Sequence, residues 1–256
     1  MGVGELIDAA IKLYRSRWKT LMAIVAIALV PITFLQVFLT RQIGSPFTEP
    51  TLTRAELEST VLTSIVLGAI QFLVVQPFLI AAVAKASADV YLGRPVLVGT
   101  TFRFAVSRIH SILWISILSG LAILLGFVLL IVPGVILLVR FYFGTTVLVV
   151  EGQKGSKALG RSFRLAQGHF WKILGTILLA AILASVVEGV LSIPGSAAFA
   201  AIGTAGWPFY AIGLSLAAIL TTPFTTLISV LLYFDLRIRK EAFDLEIMAQ
   251  EMSSQQ

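Results

Sequence analysis

The fold is decided by "KGSKALGRSFRLAQGHFWKILG", residues 154–175, a basic stretch between two long apolar runs. On a helix, the apolar positions that share one face are Leu159, Phe163, Ala166 and Phe170. The opposite face carries Lys157, Arg161, Arg164 and Gly168. The spacing predicts an amphipathic helix in the plane of the lipid headgroups, with its apolar side toward the membrane and its basic side toward lipid phosphate.

The remainder of the chain is unusually apolar. Its 256 residues are 58% hydrophobic and 12% charged, with a mean hydropathy of +0.97. Since soluble domains carry about 25% charged residues, this composition predicts an integral membrane protein. Cysteine is absent, which excludes disulfides and thiolate metal sites. The net charge of +6 is expected to meet anionic membrane lipid rather than nucleic acid, because no base-reading or base-stacking module is visible.

Six apolar runs are long enough to cross a bilayer, which takes about 20 residues. They fall approximately at residues 20–40, 59–84, 110–132, 135–151, 171–193 and 207–234. The predicted fold class is all-α: a polytopic membrane protein whose six transmembrane helices form three hairpins, each preceded by an amphipathic interfacial helix. Of the nineteen Lys and Arg residues, all but Arg41, Arg54 and Arg140 fall on one side of this topology. The positive-inside rule therefore predicts a multi-pass plasma-membrane protein with both termini cytoplasmic.

The amphipathic pattern recurs before two other spans. Its apolar positions are Ile7, Ile11, Tyr14 and Trp18 before the first span, and Val98, Phe102, Ala105 and Ile109 before the third. "FRFA" at 102–105 also matches "FRLA" at 163–166. We therefore predict one membrane domain, residues 1–256, with pseudo-repeats at about 4–92, 93–153 and 154–240 and a cytoplasmic C-terminal helix at 240–253. The alternative is that amphipathic spacing is generic among membrane proteins.

The basic residues on the polar faces of these helices are the predicted contacts with anionic lipid. They are Lys12, Arg15, Arg103, Arg108, Lys157, Arg161 and Arg164.

Arg140 and Glu188 are the strong charges that fall well inside predicted spans. Counted from turns expected at Pro133-Gly134 and Pro194-Gly195, each lies six residues inward, roughly 9 Å at helical rise. Because buried charge is costly, the two are a candidate intramembrane polar pair that lines a site. The alternative is that Arg140 extends to the interface while Glu188 takes up a proton or reaches water.

Other polar residues in or next to the spans have a structural interpretation. Pro31, Pro77 and Pro223 are expected to kink their helices. Hydrogen bonds between helices are predicted for the nearby polar side chains of Gln36, Gln71, Gln76, Thr221, Thr222, Thr225 and Thr226. Asp89, Glu151 and Asp235 end the second, fourth and sixth spans, and they are predicted to pair with Arg94, Lys154, Arg237 and Arg239 just downstream.

The sequence contains no enzyme signature. His110 and His169 stand alone at span entries, and no metalloprotease, nucleophile-elbow, P-loop or dinucleotide motif occurs. No catalytic residue, metal ligand or cofactor is predicted.

Three segments carry a family resemblance: "VYLGRPVLVG" at 90–99, "IVPGVILLVRFYFGTTVLVVEGQKGSKALGRSFRLAQGHFWKILG" at 131–175, and "LLYFDLRIRKEAFDLE" at 231–246. The chain resembles the membrane domain attached to some bacterial glycerophosphoryl diester phosphodiesterases, which also occurs as stand-alone six-helix proteins. In the fused proteins a separate soluble barrel carries the catalysis. The resemblance therefore implies a membrane fold without implying phosphodiesterase activity.

Three functions follow as hypotheses. The first is a non-enzymatic protein that binds or moves a lipid-like or amphiphilic ligand, with membrane lipids as its partners. The second is a scaffold or regulator that docks a membrane-protein partner through Phe243, Ile247 and Met248 of the C-terminal helix. The third is an intramembrane hydrolase that uses Glu188.

Overall fold

A computed structural model describes residues 2–43 and 54–254 of the chain. Its α-helices are α1 (Val3–Ile43), α2 (Arg54–Ile70), α3 (Gln76–Tyr91), α4 (Val98–Ser107), α5 (Ile109–Leu129), α6 (Ile131–Phe141), α7 (Gly144–Glu151), α8 (Ser156–Ala166), α9 (Phe170–Ile202) and α10 (Trp207–Ser254). A π-helical segment (Gln71–Val75) joins α2 to α3, and a 3₁₀ turn (Gly203–Gly206) joins α9 to α10.

The predicted fold class is confirmed. Among the described residues, six helical stretches are long and apolar enough to cross a membrane: Val3–Leu35, Val61–Tyr91, Ile109–Leu129, Ile131–Glu151, Phe170–Ile202 and Pro208–Glu241. No strand occurs in the described ranges. The protein is therefore an all-α, polytopic membrane protein. The predicted segment 240–253 is a direct continuation of α10.

A short helix precedes the first, third and fifth spans, and a short non-helical break separates it from the span. The breaks are at Arg17 (φ −135°, ψ 23°), Arg108 (φ −112°, ψ 10°) and His169 (φ −122°, ψ 23°). These angles fall outside the helical region, so the chain changes direction there. The first short helix is residues 3–16 of α1, and the other two are α4 and α8. The first two junctions are single-residue breaks, whereas the third also contains the extended Gln167 (φ −64°, ψ 132°) and Gly168 at positive φ (83°).

The turns between α5 and α6 and between α9 and α10 do not lie where the prolines suggested. The chain turns at Leu130, which is extended (φ −164°, ψ 153°), and at the 3₁₀ turn of residues 203–206. Pro133 is the third residue of α6, where a missing backbone N–H is tolerated. Pro194 lies inside α9, which continues to Ile202. The expected turns at these two prolines were therefore wrong.

Glycines next to those prolines instead let helices approach closely. A β-carbon on Gly126 of α5 would lie 2.9 Å from the Cα atom of Gly134 on α6. One on Gly195 of α9 would lie 2.7 Å from the carbonyl oxygen of Phe209 on α10. Both hairpins thus depend on the absence of a side chain at the crossing, as small residues allow between membrane helices.

The fourth span was predicted as one helix over 135–151, but it is broken into α6 and α7 at Tyr142–Phe143. The backbone groups freed by the break bind one side chain of α8. Ser162 Oγ donates to the carbonyl oxygen of Arg140 (2.8 Å) and accepts from the backbone N–H of Phe143 (3.1 Å). Because unpaired buried backbone groups are costly, Ser162 is what makes this break tolerable.

The described residues form two buried core clusters: one lies between α1 and α3, and the other lies at the end of the bundle that holds α8. Tyr233 of α10 and Phe143 are fully buried, with ring centroids 6.2 Å apart. One face of α8 joins this core through Ala158, Leu159, Ser162, Leu165 and Ala166. That face packs on α5, α6 and α7, so it contacts protein where the sequence predicted lipid. The reason is that α8 lies across helices that already occupy the space beneath it.

Candidate functional site

An open polar cavity of about 520 Å³ lies between α1, the π-helical segment with the first residue of α3, α9 and α10. Its polar lining residues are Thr33, Gln71, Gln76, Glu188, Ser192, Thr221, Thr222 and Thr225. Apolar residues, among them Leu29 and Leu214, complete the wall. We name this space the Glu188 cavity.

Glu188 is the acidic residue of this cavity, and a threonine on the neighbouring helix holds it. Thr221 Oγ1, which is buried, lies 2.7 Å from Glu188 Oε1 and donates to it. The same hydroxyl lies 3.0 Å from the carbonyl oxygen of Ala217. Thr225 Oγ1 in turn donates to the carbonyl oxygen of Thr221 at 3.0 Å. The carboxylate is thus oriented by α10 but remains exposed within the open cavity.

The π-helical segment brings two glutamines to the cavity. Gln71 begins it, and the backbone N–H of Gln76 donates to the carbonyl oxygen of Gln71. Because a π-turn closes between residues five apart, it carries both side chains to one face, where an α-helix would separate them. Pro77 follows directly and supplies no backbone N–H of its own. Within the described ranges, neither glutamine side chain has a hydrogen-bond partner.

The cavity lies far from the end that holds α8. Glu188 follows Lys172 by sixteen residues along α9, about 24 Å at helical rise. Thr221 precedes Asp235 by fourteen residues along α10, about 21 Å. Since the hydrocarbon core of a bilayer is about 30 Å thick, these distances place the cavity inside the membrane, nearer the side opposite α8.

The structure does not bring Arg140 and Glu188 together, so the predicted polar pair is wrong. The Arg140 guanidinium carbon lies 4.7 Å from the ring centroid of Phe163 on α8, and Nη1 donates a long bond (3.5 Å) to the Phe163 carbonyl oxygen. Its side chain therefore points toward α8, away from the cavity. The sequence-based prediction that both residues lie at the same membrane depth was wrong, because Pro133 and Pro194 do not mark the turns.

The acidic residue Glu151 is the centre of a polar network at the end that holds α8. Its carboxylate accepts from Tyr233 Oη (2.6 Å), Arg161 Nε (3.0 Å) and Gln153 Nε2 (2.9 Å). Arg161 Nη2 also donates to Glu241 at 2.9 Å. Burial lowers the pKa of Arg161, but the hydrogen bond and charge of Glu151 outweigh this and raise that pKa above its ordinary value.

The other two acidic residues pair nearby. Asp235 binds Lys172 of α9 and Arg239, one turn further along α10. Asp89 binds Lys85, one turn earlier on α3, whereas Arg94 contributes only a backbone N–H to the Asp89 carbonyl oxygen. Of the partners expected from sequence, only Arg239 thus makes a side-chain ion pair with its acid. We call Glu151, Arg161, Lys172, Tyr233 and Asp235 the ion-paired end.

The predicted lipid contacts fall into two groups. Lys12, Arg15, Arg103, Lys157 and Arg164 have exposed side chains. Arg161 is instead committed to Glu151 and Glu241, and one Arg108 nitrogen is buried without a partner while its guanidinium lies 5.8 Å from the Phe104 ring centroid. A basic residue on the predicted polar face of a short helix therefore does not always face lipid.

No group of three or more His, Asp or Glu residues with the geometry of a metal site occurs among the described residues. His110 lines an open cleft with Lys154 and Lys157, whereas His169 lies at the α8–α9 break. The cavity glutamines and threonines were visible in the sequence, where they were interpreted as contacts between helices. Only the π-turn and the crossing of α9 with α10 reveal that these side chains line the same cavity. The side chain of Gln36 lies outside the described residues.

The fold and cavity together define a class: a six-span helical membrane protein with a polar cavity inside the bundle. Residues 95–236, more than half of the chain, match the family described as a domain of unknown function, DUF7847. The chain belongs to that family. No curated protein matches it, and no solved structure does.

Proposed function

We propose that the protein binds, and moves within the membrane, a lipid-like amphiphile whose polar head enters the Glu188 cavity. The observation that carries the proposal is the exposed Glu188 carboxylate, held by Thr221, in a cavity whose two glutamines have spare hydrogen-bonding capacity. Polar groups at membrane depth are costly unless they are satisfied. A ligand head supplies the missing partners.

The chemistry of the cavity selects the kind of head. A carboxylate accepts hydrogen bonds, while the carboxamides of Gln71 and Gln76 both donate and accept. A head that bears hydroxyl or amine donors satisfies this set, whereas a bare phosphate would meet the Glu188 charge unfavourably. The ligand is therefore an amphiphile with a hydroxylated or amine-bearing head.

The neighbouring helix α2 leaves a route for the apolar part of such a ligand. Within the described ranges, α2 packs mainly on α1 and on its own continuation. Leu62, Ile65 and Phe72 along this span are each more than 60% exposed. An acyl chain lying along this surface keeps its tail in lipid while its head reaches the cavity.

Native mass spectrometry of the intact protein, extracted in a mild detergent, tests the proposal. We expect a co-purifying amphiphile that is reduced about tenfold in Glu188→Gln and in Thr221→Val, as loss of one charge-assisted hydrogen bond predicts.

A matched serine pair on α9 controls the experiment. Ser192 lines the cavity and Ser185 does not, although each donates to the backbone carbonyl three residues earlier. Ser192→Leu should therefore displace the ligand, and Ser185→Leu should retain it. Retention of the same amphiphile by both leucine variants, or its absence from wild-type protein, would overturn the proposal.

The proposal places the protein in the cell membrane with its ion-paired end and both termini in the cytoplasm, on the basis of the positive-inside rule. Since the chain has no cysteine, single introduced cysteines report sidedness against a silent background. In whole cells, a membrane-impermeant maleimide should label Ala205→Cys and leave Lys157→Cys unlabelled until the membrane is opened. The reverse pattern would contradict this orientation.

The scaffold hypothesis depends on Phe243, Ile247 and Met248, whose side chains lie outside the described residues. The resemblance to the phosphodiesterase-associated membrane domain likewise stays a prediction. The scaffold hypothesis does not account for the polarity of the Glu188 cavity.

A further inference from the structure

We propose that a second, separate site binds an anionic lipid, with the lipid headgroup on Arg140 and one acyl chain in the groove between α6 and α9. This site goes beyond the proposed function, because it shares no residue with the Glu188 cavity and takes a ligand with an anionic head.

The groove has a volume of about 450 Å³, within the usual range of ligand pockets. Its lining residues are Ile131, Val132, Val135, Ile136, Arg140, Phe170, Trp171 and Leu174. Arg140 is thus the single charged residue of an otherwise apolar lining. The groove follows α6 from Ile131 to Arg140, about 14 Å at helical rise, which suits an extended chain better than a compact molecule.

Arg140 has no carboxylate partner among the described residues. Its guanidinium lies against the Phe163 ring and makes one long bond to a carbonyl oxygen, and its Nε atom is buried with no hydrogen bond. Two cations on the adjoining helices differ: Arg161 of α8 and Lys172 of α9 are both paired with acids. An uncompensated cation beside lipid attracts an anion, and the planar guanidinium suits a phosphate group.

The position of Arg140 identifies the occupant as a membrane lipid. The arginine lies at the end of the groove that adjoins α8, the basic helix, and the apolar wall runs from there toward the other side of the membrane. Ile131 and Val132 at the far end are about 70% exposed, so the chain of a bilayer lipid enters from the side. A free phosphate would satisfy Arg140 but leave this wall uncovered.

Trp171 supplies a reporter, because it lines the groove and is 80% exposed. Full-length protein carrying Trp18→Phe, Trp114→Phe and Trp207→Phe is placed in phosphatidylcholine vesicles with increasing fractions of phosphatidylglycerol brominated on its acyl chains. We expect brominated phosphatidylglycerol to quench Trp171 at about tenfold lower fraction than brominated phosphatidylcholine. Arg140→Met should abolish this preference and Arg140→Lys should keep part of it.

Three control variants test whether the lipid preference arises in this groove. Arg164→Met removes an exposed charge from α8 outside the groove, so it should weaken the general attraction for anionic lipid slightly and keep most of the preference. Glu188→Gln should also keep it, so the failure of one proposal is distinguishable from the failure of the other. Ile136→Phe narrows the groove without touching the charge and should weaken quenching, which decides the matter if Arg140→Met does not purify as folded protein.

An unchanged preference in Arg140→Met, or equal losses in Arg140→Met and Arg164→Met, would overturn the proposal. Complete displacement of brominated phosphatidylglycerol by excess inorganic phosphate would also do so, because the site would then recognise a free anion instead of a lipid.

Discussion

The ion-paired end and the Glu188 cavity differ in how many hydrogen-bond partners their polar side chains have. At the ion-paired end, Glu151 has three side-chain partners, and Asp235 pairs with both Lys172 and Arg239. In the cavity, Glu188 has one partner, and the two glutamines have none among the described residues. Polar groups whose hydrogen bonds are all made rigidify a bundle. Polar groups at membrane depth that lack hydrogen-bond partners are candidates for binding a ligand. We therefore interpret the first region as the scaffold and the second as the candidate site.

Glu151→Ala tests the scaffold side and should have the largest effect. It leaves Arg161 with only its second acid, Glu241, and deprives the buried Tyr233 hydroxyl of its acceptor. Breaking a buried ion pair from one side costs about 3 kcal/mol or more. We expect a fall of many degrees in the melting temperature of the protein in detergent. Glu58→Ala removes the acid of the exposed Arg54–Glu58 pair and should leave the melting temperature unchanged.

Ser162→Ala should have the next largest effect, because two backbone groups lose their shared partner at the α6–α7 break. An unsatisfied buried group costs about 1–3 kcal/mol. The measurement is thermal unfolding, together with hydrogen exchange of the Phe143 amide, which should become faster. Ser107→Ala removes an exposed serine that bonds only within α4, and it serves as the control. Equal stability of the two variants would show that α8 does not support the break.

Glu188→Gln should affect ligand binding more than stability, the opposite of what we expect for a scaffold residue. Because Glu188 is exposed in an open cavity, its replacement should change the free energy of unfolding by less than about 0.5 kcal/mol while ligand retention falls about tenfold. Parallel thermal unfolding and native mass spectrometry on one preparation check both halves. A large loss of stability with unchanged ligand would assign Glu188 to the scaffold.

The smallest effect is expected for the exposed basic residues. Lys12→Gln and Arg15→Gln together remove two charges that have no partner within the described ranges. Each such charge contributes about 1 kcal/mol to attraction for an anionic membrane surface. The lipid shell extracted with the protein should contain less phosphatidylglycerol, and the difference should vanish at high salt. Stability should not change.

Much of the architecture was predictable from sequence. The six spans and the three short helices before them follow from hydropathy and from spacing on a helix face, both properties of adjacent residues. The limits of the spans were less predictable: α9 continues through Pro194, and α6 ends at Phe141. Whether a proline turns a chain depends on what packs around it, since the residue itself removes only one hydrogen bond.

The candidate site was predictable only in part. Glu188 was identified because a lone carboxylate in an apolar run is conspicuous. Its partner was not, because Thr221 is one of several threonines on α10 and only the crossing of α9 with α10 selects it. The pairing of Arg140 with Glu188 was wrong for the same reason.

The sequence by itself determined that the chain is a helical membrane protein, how many times it crosses and which helices carry positive charge, because lipid imposes these properties on each segment separately. The tertiary structure alone decided which charges are neutralised, where the fourth span breaks and that the polar residues of α1, the π-helical segment, α9 and α10 share one cavity. Those outcomes depend on contacts between residues far apart in the chain, and no local pattern encodes them.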